Sequence, residues 1–320
     1  MHTGLKITAF AAALAATFGT AYGVGQALDP VVADRAPAHD ERHAPSSPAA
    51  RESGGGTGHD TTPAGGLQVS EHGYTLDLKT PRVTAGQRAD LRFTVRDASG
   101  RPVTEYRREH DKELHLIVAS RDLLTFRHLH PSRAADGTWS TPVDLPRAGG
   151  YRVFADFTPA EKGARNLTLG ADLAASGTYR PQELPRATGT ARVDGYEVRL
   201  TGGLRPGRAG ELRLTVSRDG KPVTDLQPYL GAYGHLVALR AGDLAYLHVH
   251  PHGEPGDGKP PSGPGVSFTA TAPSGGSYRL FLDFRHDGVV RTAAFTVRAG
   301  TGTTAPDAGT SEHSDGGHGH

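Results

Sequence analysis

The chain carries one pattern twice. Gly100-Arg101-Pro102-Val103-Thr104 returns as Gly220-Lys221-Pro222-Val223-Thr224, and Phe126 returns as Tyr246, both at an offset of 120 residues. His115 and His128-Leu129-His130-Pro131 return at the same offset as His235 and His248-Val249-His250-Pro251 (115 to 235, 128 to 248). Upstream, Gly73-Tyr74 matches Gly195-Tyr196, and Leu91-Arg92-Phe93-Thr94-Val95 matches Leu212-Arg213-Leu214-Thr215-Val216. Downstream the offset grows to 127, where Tyr151-Arg152-Val153-Phe154-Ala155-Asp156-Phe157 meets Tyr278-Arg279-Leu280-Phe281-Leu282-Asp283-Phe284. The second copy therefore holds a seven-residue insertion (127 − 120), placed in the Gly/Pro-rich stretch Pro251 to Gly265, which reads as a loop. Each copy spans roughly 110 residues, enough for one core.

Within a copy the segments are short and alternate. Tyr74-Thr75-Leu76-Asp77-Leu78 and Tyr151-Arg152-Val153-Phe154 have the two-residue period of half-buried strands. Ala98-Ser99-Gly100, Asp136-Gly137 and Ala148-Gly149-Gly150 punctuate them as turns. No helical stripe follows the N-terminal region. The pattern predicts an all-β chain: two tandem immunoglobulin-like antiparallel β-sandwich domains after an N-terminal hydrophobic helix and a disordered linker. The expected boundaries are a signal peptide or signal anchor at 1–28, a linker at 29–66, sandwiches at 67–176 and 191–299 joined by 177–190, and a His/Gly tail at 300–320.

Lys6 precedes an uncharged run from Ile7 to Leu28, the pattern of an export signal. Ala21-Tyr22-Gly23 offers a cleavage site, whereas the 22 uncharged residues (28 − 7 + 1) are long enough to remain as a membrane anchor. The anchor is the preferred expectation; either way the sandwiches lie outside the cytoplasm, secreted or membrane-attached. There is no cysteine, so no inter-sheet disulfide, and the one methionine is Met1. Sulfur ligands are thus missing, which excludes a blue-copper centre and leaves imidazole and carboxylate, donors suited to Cu(II), Zn(II) or Ni(II). A net charge of +1 gives no electrostatic case for nucleic acid.

The histidines invite a geometric reading. A hairpin centred between Asp122 and Leu123 pairs residues whose numbers sum to 245, setting His115 opposite His130 and Ile117 opposite His128. His128 and His130 share a face, and opposed Cβ atoms lie about 4.5–5.5 Å apart. Three imidazoles of one repeat can then meet on one ion. The same arithmetic applies to His235, His248 and His250. Asp156 and Asp283 sit among apolar residues, where a carboxylate needs a partner. Each is a fourth ligand or an acceptor for a ligand ring N–H. The competing reading is structural: the rings pin a hairpin to its sandwich and bind nothing.

Other motifs say less. Gly253 to Lys259 has phosphate-loop spacing but Pro260 where that loop needs Ser or Thr. Asn166-Leu167-Thr168 fits a glycosylation pattern that occurs often by chance. His72, His110 and His286 lack a repeat partner and are expected on the surface. No Gly-x-Ser-x-Gly elbow or His-Glu-x-x-His helix is present, so no enzyme is expected.

The segment His115-Leu116-Ile117-Val118, Phe126-Arg127-His128-Leu129-His130-Pro131, Asp136-Gly137-Thr138-Trp139 and Gly150 to Phe157 resembles exported β-sandwich proteins of actinobacteria. These are broadly YtkA-like and immunoglobulin-like, and of heavy-metal-associated type. The resemblance covers about residues 67–297, and His-x-His-Pro is its most specific part. It implies extracytoplasmic handling of a metal, copper foremost. Copper-resistance carriers of the CopC type are a looser comparison. Together these readings predict an extracytoplasmic protein that holds Cu(II) or Zn(II), one three-histidine site per repeat, for buffering or delivery to a membrane transporter or envelope protein. The alternative is a cell-envelope interaction module whose histidines are structural.

Overall fold

The computed structural model describes residues 64–247, 249–252 and 262–300, with His250 described in its backbone alone. The expected signal or anchor, most of the linker, the phosphate-loop match and the His/Gly tail lie outside the described residues. Among the described residues no helix is long and apolar enough to cross a membrane.

Every described regular element is a strand. In the first repeat one sheet runs Ser70–Glu71, Tyr74–Leu78, Arg88–Arg96, Thr138–Asp144, Ser132–Arg133 in spatial order. The other runs Arg82–Thr84, Leu167–Ser176, Gly149–Pro159, Leu114–Ser120, Phe126–Leu129. The second repeat has the same pair: one sheet from Thr190–Val193 to Val249–Pro251, the other Tyr246–Leu247, His235–Arg240, Gly276–His286, Val289–Ala299. The chain is two tandem immunoglobulin-like β-sandwiches, antiparallel except for Arg82–Thr84, which runs parallel to Leu167–Ser176.

Alternation places the cores. Leu91, Phe93, Val95, Leu116, Val118, Val153 and Ala155 fill the first sandwich. Leu212, Leu214, Val216, Ala238, Leu280 and Leu282 fill the second. Beyond His115 the intervening residues of Leu114–Ser120, Ile117 and Ala119, are also apolar, so the strand from Leu116 to Ala119 is buried on both faces, as continuous apolar runs predict. Its outer face carries Ile117 and Ala119, which join Phe126 and Phe154 against Val237, Leu239, Tyr246 and Phe281 of the second repeat. The two sandwiches therefore share a third core, a seam between their facing sheets.

That seam has pseudo-two-fold symmetry. Phe126 stacks on Phe281 with centroids 4.1 Å apart. The counterpart pair, Tyr246 with Phe154, meets at 5.6 Å. Such reciprocity is the property of an isologous interface. The loop conformations repeat too: His110 and Asp111 have φ of 51° and 62°, and Leu230 and Gly231 have 53° and 71°.

One segment departs from the sequence boundaries. Gly65 and Gly66, assigned to the linker by composition, lie at the seam. Gly65 pairs with Tyr246 of the second repeat, and Gly66 N–H donates to Thr168 of the first. Arg152 holds this strap by donating to Gly66 O and Leu67 O. A Cβ on Gly170 would stand 2.0 Å from Gly66 O, so only glycine admits the strap there. Flexible-looking composition hid a requirement for close backbone approach.

Candidate metal centre

The strand alternation that builds the seam also delivers the histidines to it. His115 shares the outer face of its strand with Ile117, and Ile117 pairs with His128, the register computed from the hairpin. Ring nitrogens of His115, His128 and His130 all lie within 4.8 Å of one another.

Partner chemistry fixes two tautomers. His115 Nε2 lies 3.2 Å from the Glu109 carbonyl oxygen, which can only accept, so Nε2 carries the hydrogen and Nδ1 a lone pair. His128 Nδ1 lies 2.8 Å from Asp283 Oδ2, so Nδ1 donates and Nε2 is bare. The two bare nitrogens, His115 Nδ1 and His128 Nε2, face each other at 3.1 Å. Lone pairs at that range repel unless a cation joins them. His130 Nε2 is buried and has no hydrogen-bond partner. Burial presses His115 and His130 each down to about 3, with the neighbouring His128 ring adding to the effect.

The carboxylate comes from the opposite repeat. Asp283 is 3% exposed and spans two donors: His128 on Oδ2 and the Thr292 hydroxyl on Oδ1 at 2.5 Å. Each oxygen accepts one hydrogen bond, so Asp283 orients the His128 ring from the opposite repeat. Sequence reasoning set Asp156 beside the histidines of its own repeat. Asp156 is the strand partner of His115, yet its Oδ1 accepts from the Asn166 amide at 2.7 Å. Burial pushes the Asp156 carboxyl up to about 6. Asn166, noted in sequence for glycosylation, is instead tied to this carboxylate.

In the second repeat, His235 Nε2 donates to the Tyr229 carbonyl at 2.8 Å, the counterpart of His115 on Glu109, leaving Nδ1 bare. Burial lowers His235 to about 4. Its ring lies 6.3 Å from His115 and 6.1 Å from His128, centroid to centroid. Asp283 is its strand partner. His248 and the side chain of His250 lie outside the described residues. The backbone of His250 pairs with Thr269 in the opposite sheet, not across from His235 as the hairpin arithmetic predicts. The chain changes sheets here, as the first repeat does when Ser132–Arg133 leaves the sheet of Phe126–Leu129.

One histidine expected on the surface is buried, and another lies on the surface beside the site. His286 is buried, with Nδ1 2.7 Å from the Tyr196 hydroxyl and Nε2 3.0 Å from Asp225. His110, exposed as expected, sits with its ring 5.2 Å from His235. Tyr229 walls the site from the second repeat, 6.0 Å from His130. None of these has a repeat-conserved residue type (Tyr229 stands where Glu109 does), so the repeat gave no signal for them.

A family model described as Domain of unknown function (DUF8832) matches residues 68–172 and 191–301, one copy per repeat. No curated protein matches. Among solved structures, the Escherichia coli adhesin FdeC is 16% identical, with 72% of this chain and 65% of that chain covered at a TM-score of 0.23. InvD of Yersinia pseudotuberculosis is 13% identical, with 74% and 62% covered at 0.23. Invasin, a bacterial integrin-binding protein, is 13% identical, with 71% and 39% covered at 0.21. The chain thus spans less than two thirds of each of these, and likeness at such scores carries no argument about function.

Proposed function

The chain belongs to that DUF8832 family, matched in both repeats, and from its buried imidazoles we propose that it binds a divalent transition-metal ion, Cu(II) or Zn(II), at the seam between its sandwiches. His115 Nδ1, His128 Nε2 and His130 Nε2 are the ligands. Asp283 fixes the His128 tautomer from the other repeat, the carboxylate–histidine–metal arrangement that raises ligand basicity. The observation that carries the reading is the pair of lone-pair nitrogens 3.1 Å apart beside a third, unpartnered one. Two nitrogens at about 2.0–2.1 Å from one ion stand about 3–3.5 Å apart. The ion holds the repeats together and is buffered or passed to a membrane transporter or envelope protein. The basic, then apolar, N-terminal sequence supports a site of action outside the cytoplasm, attached or released.

A second reading has its own observation. The bonds from His115 to Glu109 and from His128 to Asp283 tie a hairpin to its surroundings without any ion. On that reading the chain is an envelope interaction module with scaffold histidines. His130→Ala separates the two, because its Nε2 makes no hydrogen bond to lose. We expect calorimetric titration of the full chain, against a competing chelator that strips the tail, to show affinity falling about 100-fold or more in the variant. The metal-free melting temperature should not change. Equal affinity in both proteins, or a melting temperature lowered without metal, favours the scaffold.

A further inference from the structure

The pseudo-two-fold that relates the repeats also relates the surroundings of His115 and His235. On one side of the axis, Asp283 accepts from Thr292 on Oδ1 and presents Oδ2 to His128. On the other, Asp156 accepts from Asn166 on Oδ1 and lines the same space as His235. His235 Nε2 is spent on Tyr229 O as His115 Nε2 is spent on Glu109 O, and each Nδ1 is left with a lone pair.

Between these groups lies a cavity of about 350 Å³, lined by His110, His115, His128, Asp156, Asn166 and His235. Its remaining wall includes Leu247, Val249 and Pro251. In sequence these alternate with His248 and His250, the repeat counterparts of His128 and His130. The cavity wall is mixed: apolar residues share it with imidazoles, with Asp156 and Glu109, and with Arg107 and Lys112 towards its border. It brings a bare imidazole nitrogen and a carboxylate into a space that a hydrated cation can enter.

We infer that the chain has a second divalent-cation position in this cavity, bound by His235 Nδ1 and supported by Asp156 of the first repeat. The carboxylates are thus exchanged: each repeat supplies the acid that serves the other repeat's ion. This rests on the reading of the first centre and extends it. The exchange makes neither centre complete in an isolated repeat, so occupancy and docking of the sandwiches are linked.

Stoichiometry tests it. The full chain is loaded with Zn(II) alone, stripped with a competing chelator, and its retained metal counted by elemental analysis, with affinities from calorimetry. We expect two ions per chain. His235→Ala should retain one, held with unchanged affinity, and His130→Ala should retain the other. Asp156→Asn should weaken the second ion about 10–100-fold and spare the first, and Asp283→Asn should do the reverse. One ion per chain, lost in His130→Ala and untouched in His235→Ala, overturns the second position and leaves the first standing. No retained ion in any of these proteins overturns both. Asp156→Asn and Asp283→Asn weakening the same ion overturns the exchange.

Discussion

The two repeats use one plan with different walls. Both set a histidine at the start of the inner strand, bond its Nε2 to a loop carbonyl, and place an aspartate on the neighbouring strand. Around His130 the wall is Tyr229, an aromatic ring. At the matching loop position the first repeat has Glu109, and the space there is a cavity bordered by Arg107 and Lys112. The seam differs too: Gly170, which lies under Gly66 of the strap, answers to Ala294, whose side chain packs on the seam core. Duplication has kept the chemistry near the axis and let the access to it diverge. His115, His128 and His235 all line that cavity, while Tyr229 stands beside His130.

The seam itself is the place to break the comparison. Phe281→Ala removes the ring stacked on Phe126 and should cost about 3–5 kcal/mol in denaturant unfolding, since a large aromatic leaves a cavity behind. If the repeats instead unfold independently, the loss is confined to the second transition, and the symmetry has no energetic content.

Acidity sharpens the comparison. His115 and His130 are held near 3 and His235 near 4, all below the unfolded value of 6.5. The unfolded chain therefore takes up protons first as the pH falls. Stability from these rings is complete above about pH 6.5 and is lost below it, at up to about 1.4 kcal/mol per pH unit for each ring. Asp156 works oppositely: raised to about 6 from 3.8, it favours the fold below about 3.8, and that contribution is lost as the pH rises through 6. Three rings outweigh one carboxyl, so the metal-free protein should melt at a lower temperature at pH 5 than at pH 7. Asp156→Asn should make that acid-induced drop larger. A melting temperature that rises on acidification contradicts the burial assigned to the rings.

The smallest effect concerns the strap. Gly170→Ala forces a methyl into Gly66 O and should destabilise by about 1–3 kcal/mol. Its counterpart Ala294→Gly should lose only about 0.5–1 kcal/mol from backbone entropy. Equal losses by thermal melting would mean that the strap does not bear on Gly170.

Much of this was legible in the chain. Period-two segments and turn residues indicated the sandwiches, and the hairpin arithmetic placed Ile117 opposite His128. The exchanged carboxylate was not legible, because docking of two domains leaves no local periodic signal. A trace existed in strands apolar on both faces: Leu116, Ile117, Val118 and Ala119 require cover on two sides. His286 was misplaced because its partners, Tyr196 and Asp225, lie 90 and 61 residues away.

The strap has a mechanical corollary. Gly65 and Gly66 are bonded to both halves at once, so tension on the preceding polypeptide is not borne by one sandwich. It arrives where the halves meet, within the same seam as the imidazoles, and a pull strong enough to peel Gly65 from Tyr246 acts directly on the joint that brings Asp283 to His128.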